Sequence, residues 1–428
     1  MAQARPRVVI IGAGFAGLNA AKALAAVPVQ VTVADKKNHH TFQPLLYQVA
    51  LAVLSPAEIA TPVRTVLRRA ANTHVLLGEV KGIDVERRSV RLEDASLNYD
   101  YLIVAAGAAH AYFGHPEWAR FAPGLKTIED AIEIRRRVLL AFETAEREAI
   151  ASHVKLELNF VVIGAGPTGV ELAGAIADIS KRYMERDFRA IDPARARILL
   201  LEGGPRVLPA YPPDLSASAE KQLREMGVEV RTSAMVTNVG LDSVTVGNEK
   251  IPATVVLWGA GVAASPLGKM LGAPTDKAGR VLVEPDLTIP GHPELFVVGD
   301  LAAAKMENGQ FVPGVAPAAI QMGRFVARQI RRSLESKPRE PFHYVDKGSL
   351  ATVGRSKAVA DFGKLHFSGY FAWLAWLFVH LLFLIGFRNR IMVMLDWAWA
   401  YVTYNQGARL ITETAEEVAE EQPRARAG

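Results

Sequence analysis

Short unbroken apolar runs, each closed by glycine or a carboxylate, alternate along the chain with stretches of helical spacing. Arg7–Ile11 (RVVII) reads as a fully buried strand, because its apolar residues show no in-out alternation. Residues 14–26 then repeat apolar positions at helical intervals, and residues 30–34 (QVTVA) return to a strand. Residues 99–106 (NYDYLIVAAGA with its neighbours) form another buried run. The plan recurs at Asn159–Ile163 (NFVVI), a helix from Pro167, and Arg197–Leu201 (RILLL). Further on, LFVVGDLAA is a strand ending at Gly299 and Asp300, followed by the helical phrase PAAIQMGRFVARQIRRSL and the strand-like ATVG and AVADF. Strands alternating with helices predict an α/β class with parallel sheets.

Two of the strand–helix junctions carry the same glycine spacing. GAGFAG supplies Gly12, Gly14 and Gly17; GAGPTG supplies Gly164, Gly166 and Gly169. In this context the first glycine makes the tight turn and the second lets backbone approach a pyrophosphate. The third lets helix pack on strand, and the helix N-terminus holds the anion. Two copies in register predict two doubly wound Rossmann-like domains and two dinucleotides, most simply a flavin and a nicotinamide. Asp35 closes the second strand of the first copy, where a carboxylate accepts from a ribose hydroxyl. Glu202 has that place in the second copy; it favours NAD over NADP, with Arg206 nearby weakening the exclusion. The longer spacing to Glu202 fits the polar stretch SKRYMERDFRAIDPARA, read as a helix extension and return loop. The expected organisation is a discontinuous flavin domain over residues 1–118 and 286–345, and a nicotinamide domain over 157–285. A C-terminal membrane-anchoring domain over 346–410 and a charged, disordered tail over 411–428 complete it.

The C-terminal part changes the picture. Residues 370–387 (YFAWLAWLFVHLLFLIGF) are apolar throughout apart from His380, long enough to raise a membrane span. A second run, 391–404, holds Asp396 and follows Arg388, Asn389 and Arg390. Trp373, Trp376, Trp397, Trp399, Tyr401 and Tyr404 suit a bilayer interface better than its centre, so two helices lying in one leaflet are preferred over a span. Between residues 347 and 412 seven basic residues face two acidic ones, a net +5 that equals the excess of the whole chain. That basic, aromatic segment suits an anionic membrane surface. An excess of this size over 428 residues does not point to nucleic acid. The chain has no cysteine, which excludes disulfide chemistry and thiolate metal sites. The pair His39–His40 has no metal-ligating partner at useful spacing and reads as loop. No secretory signal precedes the first strand.

With these residues in view, the chain resembles the two-dinucleotide flavoproteins of the glutathione-reductase-like superfold, and within them the type II NADH dehydrogenases. The resemblance rests on GAGFAGL with Asp35, FQPLLYQVA with LSPAEIATPVR, YDYLIVAAGA, GAGPTGVELAGA, WGAGV, VVGD, PGVAPAAIQMG, DKGSLATVGR and the aromatic C-terminal segment. It covers nearly the whole chain. Ala106 stands where that family has threonine, and Pro317 where its quinone motif has a first glutamine; Gln321 keeps the second. The resemblance implies FAD bound by the first fingerprint with Gln43, Gly107 and Asp300, the last on the ribityl chain. It implies NADH bound by the second fingerprint with Glu202 and Gly261. Glu171 is placed on the first turn of the second fingerprint helix, to orient the nicotinamide or relay protons; a carboxylate favoured by the helix dipole is the alternative. Gln321 and Lys347 are implied at a quinone headgroup, with a solvated lysine as the alternative for Lys347.

Without cysteines, electrons cannot leave a flavin through a thiol pair, so an external acceptor is required. A membrane-seeking C-terminus suggests a quinone, and the resemblance implies that it is reduced without proton pumping on the cytoplasmic face of the cell membrane. A soluble-acceptor NAD(P)H reductase and a flavin-bound redox sensor stay open at this point, as does a homodimer.

Overall fold

The computed structural model describes residues 5–153, 156–185, 187–403 and 407–411. The chain divides into two units. The first comprises Met1–Thr41, Ala60–His110 and Val262–Lys347; the second comprises Phe42–Ile59, Ala111–Gly261 and Gly348–Gly428.

The first unit is built on a six-stranded sheet in the order Thr288–Ile289, His292–Val297, Tyr101–Val104, Arg7–Ile11, Gln30–Asp35, Thr73–Leu77. Its long-range register pairs Ile10 with Val33 on one side and Ile103 on the other, and Phe296 with Ile103, all parallel. The late strand His292–Val297 therefore completes a sheet begun at residue 7. Both faces of the central strand are buried, which is why Val8 to Ile11 carry no polar residue. The helix Phe15–Leu24 covers one face and crosses the helix Ala316–Leu334 closely: a Cβ at Gly323 would fall 2.1 Å from the carbonyl oxygen of Ala16. The first helix is shorter than the apolar spacing suggests, because Gly14 is its cap and Ala25 ends it.

The second unit repeats the plan with a four-stranded parallel sheet, Val228–Arg231, Arg197–Leu201, Asn159–Ile163, Val255–Trp258. The helix Pro167–Asp178 packs onto the late strand Ser349–Gly354 so tightly that a Cβ at Gly174 would meet Val353 O at 1.5 Å. After that helix the chain makes a π-helical turn over Ile179–Tyr183 and a return loop, in line with the extra length before Glu202. Ser349–Gly354, Lys357–Asp361 and His366–Ser368 form an antiparallel sheet whose alanines pack under the helix Tyr370–Phe383.

The apolar run 370–387 is not one helix. Leu384 turns to an extended conformation and Gly386 has φ +95°, so the first helix stops at Phe383 and a second runs Phe387–Thr403. Arg388, Asn389 and Arg390 consequently lie inside the second helix rather than between two apolar runs. The first helix has 14 residues, about 21 Å at 1.5 Å each, short of the roughly 30 Å of a hydrocarbon core. Among the described residues no helix is long and apolar enough to cross a membrane. Tyr404 and, apart from Ile411, the tail expected to be disordered lie outside the described residues.

Candidate dinucleotide and acceptor sites

Each unit places its glycine turn at the carboxyl end of its central strand. In the first, Gly12 has φ +97°, and a Cβ there would meet Ala105 O at 2.4 Å; a Cβ at Gly17 would meet Gly12 O at 1.8 Å. In the second, Gly164 has φ +94° and is closed in by Ala260 at 2.6 Å, and Gly169 by Gly164 O at 1.8 Å. The middle glycines differ: nothing lies within 4 Å of a Cβ at Gly14 or at Gly166. Packing thus forces the outer glycines, and the middle one borders the open space a diphosphate needs at the start of each helix.

The carboxylates that follow are matched as well. Asp35 accepts from Ala13 N at 2.6 Å and from Lys37 N at 2.7 Å. Glu202 accepts from Ala165 N at 2.7 Å and from Gly204 N at 2.7 Å. Each carboxylate therefore braces its own glycine turn, and each oxygen retains a further acceptor position for a ribose hydroxyl. Arg206, expected to weaken the exclusion of a 2′-phosphate, donates one guanidinium N–H to Pro209 O at 2.8 Å. His40 lies not in a loop but in the short strand His39–Thr41. There its Nδ1 sits 3.0 Å from Ala13 O and its ring meets Phe15 edge-on at 4.9 Å. Its Nε2 is buried without a hydrogen-bond partner, and burial lowers its pKa. No sequence signal marks this histidine as a support of the first glycine turn.

The remaining expected flavin contacts are placed as follows. Asp300 lies in the turn Gly299–Leu301, half-buried, with its carboxylate toward Gly314. Gly107 has φ +67°, open space where a Cβ would be, and accepts from Ser265 N at 3.1 Å. In the second unit, Gln43 starts a short 3-10 turn and donates to Lys126 O at 3.3 Å. Gly261 has φ +71° and is crowded by Phe113, where a Cβ would sit 2.4 Å from the ring. The open middle glycines, the braced carboxylates and Asp300 suit a dinucleotide in each unit.

Glu171 is the fifth residue of the helix Pro167–Asp178, in its second turn rather than its first, because the helix starts only at Pro167. The helix dipole is therefore a weak reason for its presence. Desolvation holds its carboxyl well above the ordinary carboxylate range. Burial raises the Tyr47 and Tyr211 hydroxyls too, with the Glu171 charge adding to both shifts. Tyr47 accepts from Gln48 Nε2 at 2.8 Å, and Gln48 Oε1 accepts from the Trp397 indole N–H at 2.7 Å. A polar chain thus runs from the neighbourhood of Glu171 to the second C-terminal helix. Arg135, buried, donates to Val49 O and Leu54 O and closes the end of the short helix Leu46–Ala50.

In the first unit, Gln321 makes a two-point pairing with the backbone of Val345, donating to its oxygen at 2.9 Å and accepting from its nitrogen at 3.0 Å. The amide expected to face a quinone carbonyl is engaged in this pairing, which fixes the exposed segment carrying Lys347 two residues on. His380 sits stacked on Trp376 at 4.2 Å with its Nδ1 2.7 Å from Trp376 O, and burial lowers its pKa to about 4, so it is neutral at pH 7.

Comparison with known proteins adds the family. Residues 6–323 match the pyridine nucleotide-disulphide oxidoreductase family and residues 347–403 match the NDH2 C-terminal domain. The type II NADH:quinone oxidoreductase NdhA of Mycobacterium tuberculosis is 49% identical over 426 residues, covering 95% of this chain and 90% of that protein. Ndh of the same organism is 46% identical, covering 96% and 91%. The structure of NDH2 from Plasmodium falciparum in complex with NADH superposes with a TM-score of 0.84 at 20% identity, covering 93% of this chain and 99% of that one. The chain belongs to the pyridine nucleotide-disulphide oxidoreductase family, and within it to the type II NADH dehydrogenases.

Proposed function

We propose that the chain is a membrane-attached NADH:quinone oxidoreductase that passes two electrons from NADH to a quinone without proton pumping, on the cytoplasmic face of the cell membrane. The observation that carries this reading is the duplicated glycine turn with its braced carboxylate, in a chain with no cysteine. FAD, when bound, supplies the two-electron relay between nicotinamide and quinone. The first unit holds it through the turn at Gly12, Gly14 and Gly17, with Asp35 and Asp300 as polar anchors. The second unit holds NADH through Gly164, Gly166 and Gly169, with Glu202 at the adenosine ribose. Burial disfavours the charged form of Glu171 and holds its carboxyl well above the ordinary carboxylate range. It is thus suited to hydrogen-bond as a donor or to supply a proton. Gln321 and Lys347 serve the quinone end, Gln321 by fixing the backbone that carries the lysine.

Attachment uses the two C-terminal helices. Phe371 is 74% exposed, Phe378 64% and Val402 75%, on helices whose other side is buried through Trp376 and Val393. An exposed aromatic and aliphatic row on short helices suits insertion into one leaflet, from which a lipid-soluble quinone arrives. This row favours a quinone over the soluble acceptors of other reductases.

The test is turnover of purified protein with NADH and NADPH against quinones of graded tail length, with anaerobic stopped-flow of the bound flavin. NADH-driven flavin reduction followed by reoxidation with quinone supports the assignment. Reoxidation by a soluble protein acceptor but not by quinone overturns it. Glu171→Gln separates the two roles of that residue. A slower quinone-dependent step with a flattened alkaline limb points to proton supply, whereas a raised NADH KM with an unchanged profile points to orientation.

A further inference from the structure

In the second unit a cavity of about 540 Å³ opens where the Pro213–Glu225 helix, the Ser349–Gly354/Lys357–Asp361 hairpin and the two C-terminal helices meet. Four cationic side chains line it: Arg182, Lys221, Arg355 and Lys357, against one lining carboxylate, Glu225. Glu225 is occupied by Lys357. Asp178, behind the wall, accepts from Arg355 N at 2.8 Å and pairs with Arg182 at 3.2 Å. Counting both carboxylates, two positive charges remain in excess. Lys221 makes no ion pair among the described residues. The Arg355 guanidinium carbon lies over the Tyr401 ring, 4.1 Å from its centre, and the same guanidinium donates to Tyr401 O.

The two apolar helices form the far wall: Gly369, the cap of the first, and Tyr401, near the end of the second, both line the cavity. Beside them, Phe371 and Val402 belong to the exposed row read above as membrane-facing, and Trp399 is exposed as well. With that row in the acyl region, the cavity sits at headgroup depth. A planar guanidinium, two lysines and the hydroxyls of Ser218, Ser356 and Ser368 are donors matched to phosphate oxygens. The first N–H groups of the Tyr370–Phe383 helix add to the positive potential.

We propose that this cavity is a binding site for the phosphate of an anionic lipid headgroup, whose acyl chains lie along the exposed face of the C-terminal helices. The proposal rests on the membrane attachment inferred above. The positive excess specifies an anion, and the adjoining apolar row specifies a lipid rather than free phosphate as its source. Occupation by lipid would fix the helix pair at one depth and one rotation on the bilayer.

The test is flotation of the flavin-loaded protein with vesicles of pure phosphatidylcholine and of phosphatidylcholine mixed with phosphatidylglycerol. The expected result is binding to both, tighter by roughly an order of magnitude with phosphatidylglycerol. Lys221→Ala should lose about fivefold of that preference and Lys221→Ala/Lys357→Ala most of the rest, with binding to neutral vesicles and NADH-driven flavin reduction unchanged. Lys269→Ala, a basic surface change in the other unit, should leave the preference intact. Retention of the preference in the double variant, or its absence in the starting protein, overturns the site while leaving membrane attachment standing. Loss of the preference on adding millimolar inorganic phosphate assigns the cavity to a soluble anion and overturns the lipid. Failure of the starting protein to bind any vesicle overturns both the attachment and the site.

Discussion

The indole N–H of Trp397 donates to Gln48 Oε1 at 2.7 Å, across 349 positions of sequence. Gln48 in turn donates to Tyr47, whose hydroxyl lies in the field of Glu171. The neighbouring residue on the same helix, Asp396, faces Glu58, so two adjacent positions of the Phe387–Thr403 helix dock onto the segment 42–59. The helix expected to meet the membrane is thus tied by polar contacts to the segment 42–59 of its own unit, which also carries Glu171.

The Asp396–Glu58 contact should make that docking depend on pH. Among the described residues Asp396 Oδ2 is buried without a hydrogen-bond partner, and the Glu58 carboxyl faces Asp396. Burial first, then Asp396, push Glu58 up to about 7, against a lowering by the Ser55 N–H and by Arg388; Arg135 on the Ile128–Ala151 helix also senses the Glu58 charge. A carboxyl whose pKa is raised in the fold binds a proton that the unfolded chain has already released. Stability from this group is therefore full below about 4.5 and is lost as pH rises through about 7. Glu58→Gln, which keeps a donor toward Asp396 at every pH, should flatten the fall in Tm between pH 5 and 8 by on the order of 2–4 °C. Parallel Tm curves for the two proteins would refute the raised Glu58 carboxyl.

Glu202 should set nucleotide choice. Glu202→Gln keeps an acceptor for Ala165 N or Gly204 N and removes the charge. NADH KM should rise about tenfold, in keeping with the loss of a charge-assisted hydrogen bond, and the preference over NADPH should narrow. Steady-state kinetics with both nucleotides decide it; an unchanged ratio removes Glu202 from the ribose.

Gln321→Ala should slow quinone reduction about tenfold by freeing the backbone at Val345 and with it Lys347, while NADH reduction of the flavin stays within about twofold. Double-mixing stopped-flow separates the two half-reactions. A slowed reductive half-reaction with normal reoxidation would place Gln321 away from the acceptor.

Phe371→Asp together with Phe378→Asp should release the protein from neutral vesicles and depress turnover with long-tailed quinones several-fold more than with short-tailed ones. Both residues are more than half exposed, so the fold should tolerate the change. Equal losses for all quinones would argue against access from the bilayer.

The sequence by itself determined the two glycine turns, because the outer glycines are fixed by local backbone geometry: a Cβ at Gly17 or Gly169 would collide with a carbonyl only five residues away. It also determined the strands Arg7–Ile11 and Asn159–Ile163, whose unbroken apolar runs reflect burial on both faces. The absence of thiol chemistry was legible from composition alone. The tertiary structure decided what depends on partners far along the chain. Hydropathy could not divide residues 370–387, since the break comes from the backbone at Leu384 and Gly386 and the chain on either side of it within that run is apolar. Neither could it show that Gln321 pairs with Val345, that Trp397 reaches Gln48, or that Glu58 meets Asp396. The energy of a polar side chain is set by the group that meets it on desolvation, and that group is chosen by the fold, not by its neighbours in sequence.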